Sequence, residues 1–180
     1  MLGVVRKKVG RVMKIMGIDA STKCSGCAVV DVNGKLLFHS AFDLKYLDDI
    51  DERIDCQIEN FIKLFDEWEP DICYIEDTWK AGKVLNIQTT KKLTNLIGAV
   101  RCLCIHHGCL FNTVYPSSWR SVIGIDGGKG VKREEFKQRA ITWVKKKFDL
   151  DVSDDEAEGI CIAYAGSIMN HKMWEEEELF

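Results

Sequence analysis

The amino-acid sequence predicts an α/β fold: a five-stranded mixed sheet, built from an antiparallel three-strand meander plus parallel strands and flanked by helices. Three observations lead there. Short apolar runs open the chain and are joined through an Asn-Gly turn. Two further apolar strands are each separated from the preceding one by a stretch with helical spacing. The chain then closes on helices, giving the order β-β-β-α-β-α-β-α-α.

The elements follow in turn. "KIMGID" predicts a strand over 14–19, and "GCAVVDV" a second over 26–32. Asn33-Gly34 turns the chain into a third, over 35–42. Ile50, Ile54, Ile58, Phe61, Ile62 and Phe65 recur at helical spacing until Pro70 interrupts them. "ICYIED" is a short buried strand that ends in acids. Leu93, Leu96, Ile97, Val100, Leu103 and Cys104 mark a long helix, and "LFNTVYP" a fifth strand closed by Pro116. A short helical turn, a glycine-rich loop and a basic helix to about Lys147 come next. The last helix starts near Ser153 and turns Ala157, Ile160, Cys161, Tyr164 and Ile168 inward. Residues 1–12 read as an N-terminal tail or start-site extension ahead of Met13, 13–172 as one domain, and 173–180 as a solvated acidic tail.

At 180 residues, 46% hydrophobic and 29% charged, the chain has the composition of a globular protein with a core of its own. No apolar run approaches the roughly 20 residues that a membrane span needs. The eight cysteines lie within strand-like and helix-like runs, which predicts reduced thiols and a cytoplasmic setting. "CSGC" and "CLCIHHGC" have the composition of a zinc site without the spacing of one, and buried or incidental thiols explain them better. The net charge of −3 hides a strong asymmetry. From Trp79 to Lys147 there are 14 Lys and Arg against three acids, Asp126, Glu134 and Glu135. A basic middle between acidic flanks predicts an anionic partner on one face, although part of it is accounted for by solvated helix surfaces.

Acids interrupt the hydrophobic pattern at three separated places. The first and fourth strands end in Asp19 and Glu76, which neighbouring strands of the same direction would bring to one edge of the sheet. In "SDDEAEGICIA", Asp155 and Glu158 are three apart and share a helical face, with Cβ atoms about 5–6 Å apart. Four gathered carboxylates require a counter-charge. Hard divalent cations such as Mg²⁺ or Mn²⁺ supply it through oxygen ligands. Two such ions about 3.5–4 Å apart can activate a water and stabilise a leaving oxygen in phosphodiester hydrolysis. Taken singly, each acid has a structural alternative: a turn cap, a lysine partner, or the favoured place of an acid in a first helical turn.

"GIDASTKCSGCAVVD", "YIEDTW" and "DDEAEGICIA", at these intervals, resemble the RuvC family of Holliday-junction resolvases, in a form closer to phage-type members. The resemblance spans about Lys14 to Asn170 and implies a ribonuclease H-like fold. It implies metal-binding and catalytic roles for Asp19, Glu76, Asp155 and Glu158, the last of which is usually aspartate in bacterial housekeeping members. Asp154 and Glu156 flank the pair as possible substitutes. The family's branch-point aromatic falls on Trp79, with Lys80 and Lys83 beside it to grip phosphates. Its basic stretch near the cut phosphate falls on "WRSVIGIDGGKGVKREEF", with Lys129, Lys132 and Arg133 as candidates.

The implied activity is a structure-selective endonuclease acting on four-way and other branched DNA with two Mg²⁺ ions, Mn²⁺ being able to substitute. It would leave 5′-phosphate and 3′-hydroxyl ends. A homodimer is implied by the two cuts that a near-two-fold junction requires. The alternatives are a non-catalytic branched-DNA-binding or RNA-processing relative, and an actin-like-fold sugar kinase. The kinase needs a second domain and a phosphate loop for which this length leaves no room.

Overall fold

A computed structural model describes residues 11–77, 87–125, 127 and 130–177, with side chains described as far as 170. The strands are β1 (Lys14–Asp19), β2 (Cys24–Asp31), β3 (Leu36–Asp43), β4 (Ile72–Glu76) and β5 (Leu110–Val114). The helices are α1 (Ile50–Trp68), α2 (Ile87–His107), α3 (Pro116–Val122), α4 (Arg133–Phe148) and α5 (Asp154–Glu177). One sheet has the order β3-β2-β1-β4-β5. β1 pairs antiparallel with β2 and β2 with β3, while β1–β4 and β4–β5 are parallel. The mixed sheet expected from the sequence is present, in the expected element order.

Local chemistry sets the ends of these elements. At the β2–β3 hairpin the Asp31 carboxylate accepts from the Asn33 and Lys35 backbone amides, and Gly34 adopts φ 78°. Asp49 caps α1 by accepting from the Asp51 and Glu52 amides. The helix then closes on Glu69 in the left-handed region, just ahead of Pro70. Ser153 and Glu156 form a reciprocal capping box at the start of α5.

Side chains alternate across the sheet and divide the core in two. Met16, Ile18, Cys27, Val29, Cys73 and Ile75 face α1 and α2. Ile15, Ala28, Val30, Ile72 and Tyr74 face α5, with α3 and α4 behind it. By the same alternation Asp19 continues the row of Ile15 and Gly17, and Glu76 the row of Ile72 and Tyr74. Both acids therefore belong to the α5 face.

Arg11 pairs with Glu69 and Asp71. α5 runs on through Glu177, so the backbone of 173–177 is helical where a frayed tail was expected. No described helix is long and apolar enough to cross a membrane.

Candidate active site

The site is built on an unusually close approach between helix and sheet. A Cβ added at Gly17 would lie 2.1 Å from the Ala163 amide nitrogen, and one at Gly26 would lie 1.7 Å from the Asp155 carbonyl oxygen. One at Gly159 would lie 2.7 Å from the Gly26 carbonyl carbon. Glycine at these positions lets the α5 backbone rest directly on β1 and β2. Asp19 is the register partner of Gly26. The first turns of α5, carrying Asp155 and Glu158, are thus set beside Asp19. On the other side, Ile18 pairs with Ile75 in the parallel β1–β4 ladder, which brings the strand ends Asp19 and Glu76 side by side.

The four carboxylates interact. Burial holds the Asp19 carboxyl well above its ordinary value, and the negative charges of Glu76, Glu158 and Asp155 push it further in the same direction. Arg133 partly opposes the shift, which puts this cation within electrostatic reach of the cluster.

Each of the other three acids also has a protein partner. The indole nitrogen of the fully buried Trp119 donates to Glu76 at 2.8 Å. Arg120 donates to the buried Glu158 at 3.0 Å. The Cys24 thiol is pushed up to about 12, first by burial and then by its hydrogen bond to Asp155. Lys137 lies 4.0 Å from Asp155.

No group of three or more His, Cys, Asp or Glu side chains placed to hold a metal ion as it stands is found among the described residues. Glu76, Glu158 and Asp155 engage indole, guanidinium and thiol donors respectively. In hardness and charge the donor set still suits a divalent cation: carboxylate oxygens alone, with Asp19 short of counter-charge.

Asp154 and Glu156 do not join the cluster. Asp154 is tied to Lys137, which holds its carboxyl below the usual range. Glu156 bonds Ser153 and His39, serving the helix cap and the contact to β3. Lys132 is the exposed residue preceding α4, and Arg133 is the first residue of that helix. Trp79, Lys80, Lys83 and Lys129 lie outside the described residues.

The cysteine motifs resolve into packing. Cys27 belongs to the core beneath α1, whereas Cys24 meets Asp155 of α5, so the two thiols of "CSGC" face opposite sides of the sheet. Cys104 and Cys109 are buried against Cys73 on the α1–α2 face, whereas Cys102 is exposed. Hydrogen bonds from Cys109 and Cys73 lower the Cys104 thiol below its ordinary range. All eight cysteines are free.

Sequence reasoning passed over Trp119 and Arg120. Their signal was "PSSWRS", where an indole with one N–H to satisfy and a guanidinium directly follow a strand of the sheet.

No family model matches the sequence. Over 153 residues the chain is 24% identical to the crossover junction endodeoxyribonuclease RuvC of Trichlorobacter lovleyi, covering 83% of this chain and 84% of that protein. Among solved structures it is similar to Thermus thermophilus RuvC in complex with its Holliday junction substrate. That match has a TM-score of 0.70 at 16% identity and covers 89% of this chain and 96% of the other. The fold is that of RuvC. The yeast mitochondrial Holliday junction resolvase Ydc2 shares it, with a TM-score of 0.56 at 15% identity over 96% of this chain and 87% of that one. This five-stranded mixed sheet with flanking helices is the ribonuclease H-like fold that the sequence predicted.

Proposed function

We propose that this protein is a metal-dependent endonuclease that resolves four-way junctions and other branched DNA. The observation that carries the reading is the meeting of Asp19, Glu76, Asp155 and Glu158 from two parallel strand ends and one helix, within a RuvC fold. The similarity to the Trichlorobacter lovleyi junction endonuclease over most of both chains supports the substrate class.

Asp19, Glu76, Asp155 and Glu158 are the residues that would hold the ions, with Mg²⁺ the natural occupant and Mn²⁺ a substitute. When bound there, divalent ions would supply Lewis-acid activation of a water and neutralise charge on the leaving oxygen, and the expected products carry 5′-phosphate and 3′-hydroxyl ends. The chain itself does the positioning. The glycine contacts fix α5 against the sheet, and Trp119 orients the Glu76 carboxylate. Lys132 and Arg133, at the start of α4, offer cations to the DNA backbone beside the acids. Trp79 is assigned to stacking at the branch point, and Lys80, Lys83 and Lys129 to phosphates. A homodimer with two-fold symmetry would present two such sites to the near-two-fold junction. The free thiols favour a reducing cytoplasmic setting.

The test is cleavage of labelled four-way, three-way, flap and linear DNAs in Mg²⁺ or Mn²⁺, by the wild type and by Asp19→Asn. Junction cutting by the wild type alone is expected. Equal cutting by both proteins would remove the carboxylate site from the chemistry.

A further inference from the structure

We propose that Arg120 is the resident counter-cation of the metal-free site, holding Glu158 until a divalent ion displaces it. The inference rests on the metal-site reading above and adds a positioning residue to it.

Four observations carry it. Glu158 is buried, and its carboxylate takes the Arg120 Nη2 at 3.0 Å. The guanidinium carbon sits 4.7 Å from the centroid of the Trp119 ring and 4.6 Å from that of Phe136. This aromatic slot fixes the cation's place whether or not Glu158 is bonded to it. The Nε of Arg120 is buried and has no hydrogen-bond partner among the described residues, so the side chain is not anchored through a network of its own. Finally, Asp19, Glu76 and Asp155 crowd the same neighbourhood with negative charge, yet no three of these side chains form a ready ligand set.

A cation that is needed when the site lacks metal stands on the acid that metal would recruit. Arg120 occupies the Oε1 of Glu158, so an ion that takes this oxygen exchanges places with the guanidinium, and an ion at the other oxygen still meets its positive charge. Arg120 would therefore keep the acid cluster folded without metal, at the expense of metal affinity. The two roles have opposite signs when Arg120 is removed: weaker metal-free folding and tighter metal binding. A purely structural arginine would show only the first.

The experiment titrates Mn²⁺ alone, followed by calorimetry, into wild type, Arg120→Gln and Arg133→Gln, and records thermal melts with and without the ion. Arg120→Gln is expected to bind roughly ten- to a hundredfold more tightly than wild type, since the charge-assisted bond no longer has to be broken. Its melting temperature without metal should fall and its metal-induced rise should grow. Arg133→Gln removes a neighbouring cation that does not bond Glu158, and should change affinity much less. Equal affinity in wild type and Arg120→Gln, or an equal gain in Arg133→Gln, overturns the proposal. Should Arg120→Gln not fold, wild-type guanidinium NMR decides. Adding Mg²⁺ should shift the Arg120 Nη–H resonance as its bond to Glu158 is lost, and an unchanged signal in metal-bound protein overturns the exchange. If neither wild type nor Arg120→Gln binds the ion, the metal-site reading itself falls. If both bind alike, only the role of Arg120 does.

Discussion

Gly159→Ala tests whether the helix–sheet contact builds the site. The added methyl would meet backbone atoms: the Gly26 carbonyl carbon at 2.7 Å, the Cys27 nitrogen at 2.8 Å and the Gly26 oxygen at 3.0 Å. Ordinary carbon contacts lie near 3.5–4.0 Å, so α5 and β2 must part by roughly 0.7–1 Å. No side-chain rotation relieves a clash with backbone. Overpacking of this kind costs about 1–3 kcal/mol. Alanine returns up to about 1 kcal/mol through its helix propensity, leaving a net loss of roughly 0–2 kcal/mol. The effect on chemistry is larger, because Glu158 adjoins the clash and Asp155 lies one turn away. A displacement near 1 Å at reacting groups costs on the order of 100-fold in rate. Gly98→Ala in α2 is the control. Its added Cβ meets nothing within 4 Å, so a gain of about 0.5–1 kcal/mol with unchanged cleavage is expected. Urea unfolding and single-turnover junction cleavage read both quantities. If Gly159→Ala kept wild-type stability and rate, the close approach of α5 would not be what sets the acids.

Two further outcomes follow from the electrostatics. Asp19 has a folded pKa raised above 3.8 in the metal-free protein, so its contribution to stability is present below that value and lost as pH rises through the folded pKa. In EDTA, wild type should therefore lose stability relative to Asp19→Asn as pH rises above the ordinary carboxyl range, and parallel urea midpoints would refute the shift. Trp119→Phe removes the indole donor from Glu76 and should destabilise the protein by about 1–3 kcal/mol while slowing cleavage. A variant with wild-type unfolding and wild-type cutting would show that this hydrogen bond does not position Glu76.

The strands and most helices were legible because their signals are local. Asn33-Gly34 fixes one hairpin, continuous apolar runs mark β1 and β4, and the Ile54–Phe61–Phe65 stripe marks α1. The sharing of one face by Asp19 and Glu76 was legible as well, since parity along a strand carries over to the residue at its end. Two features near the chain ends were harder to read. Arg11 is held by Glu69 and Asp71, residues nearly sixty positions away, and no local pattern announces such a partner. The acids after Trp174 suggested a frayed end, yet an acidic stretch and helical backbone are compatible, and α5 continues to Glu177.

The least legible part of the site was what stands opposite the acids, and the reason is physical. A carboxylate that breaks an apolar pattern is visible in the sequence because burying it is costly. A neutral indole donor is not, since tryptophan fits the hydrophobic pattern whether or not its N–H is used. Arg120, for its part, reads as one more cation in a basic stretch. α3 is only seven residues long, yet it delivers one donor to Glu76 and the next to Glu158. Adjacent residues of a helix point about 100° apart. Consecutive positions can reach two different acids only because Glu76 and Glu158 approach α3 from separate elements, the sheet edge and α5. The short helix is therefore the piece that reads the convergence of the two, and its sequence has meaning only after the fold has brought them together.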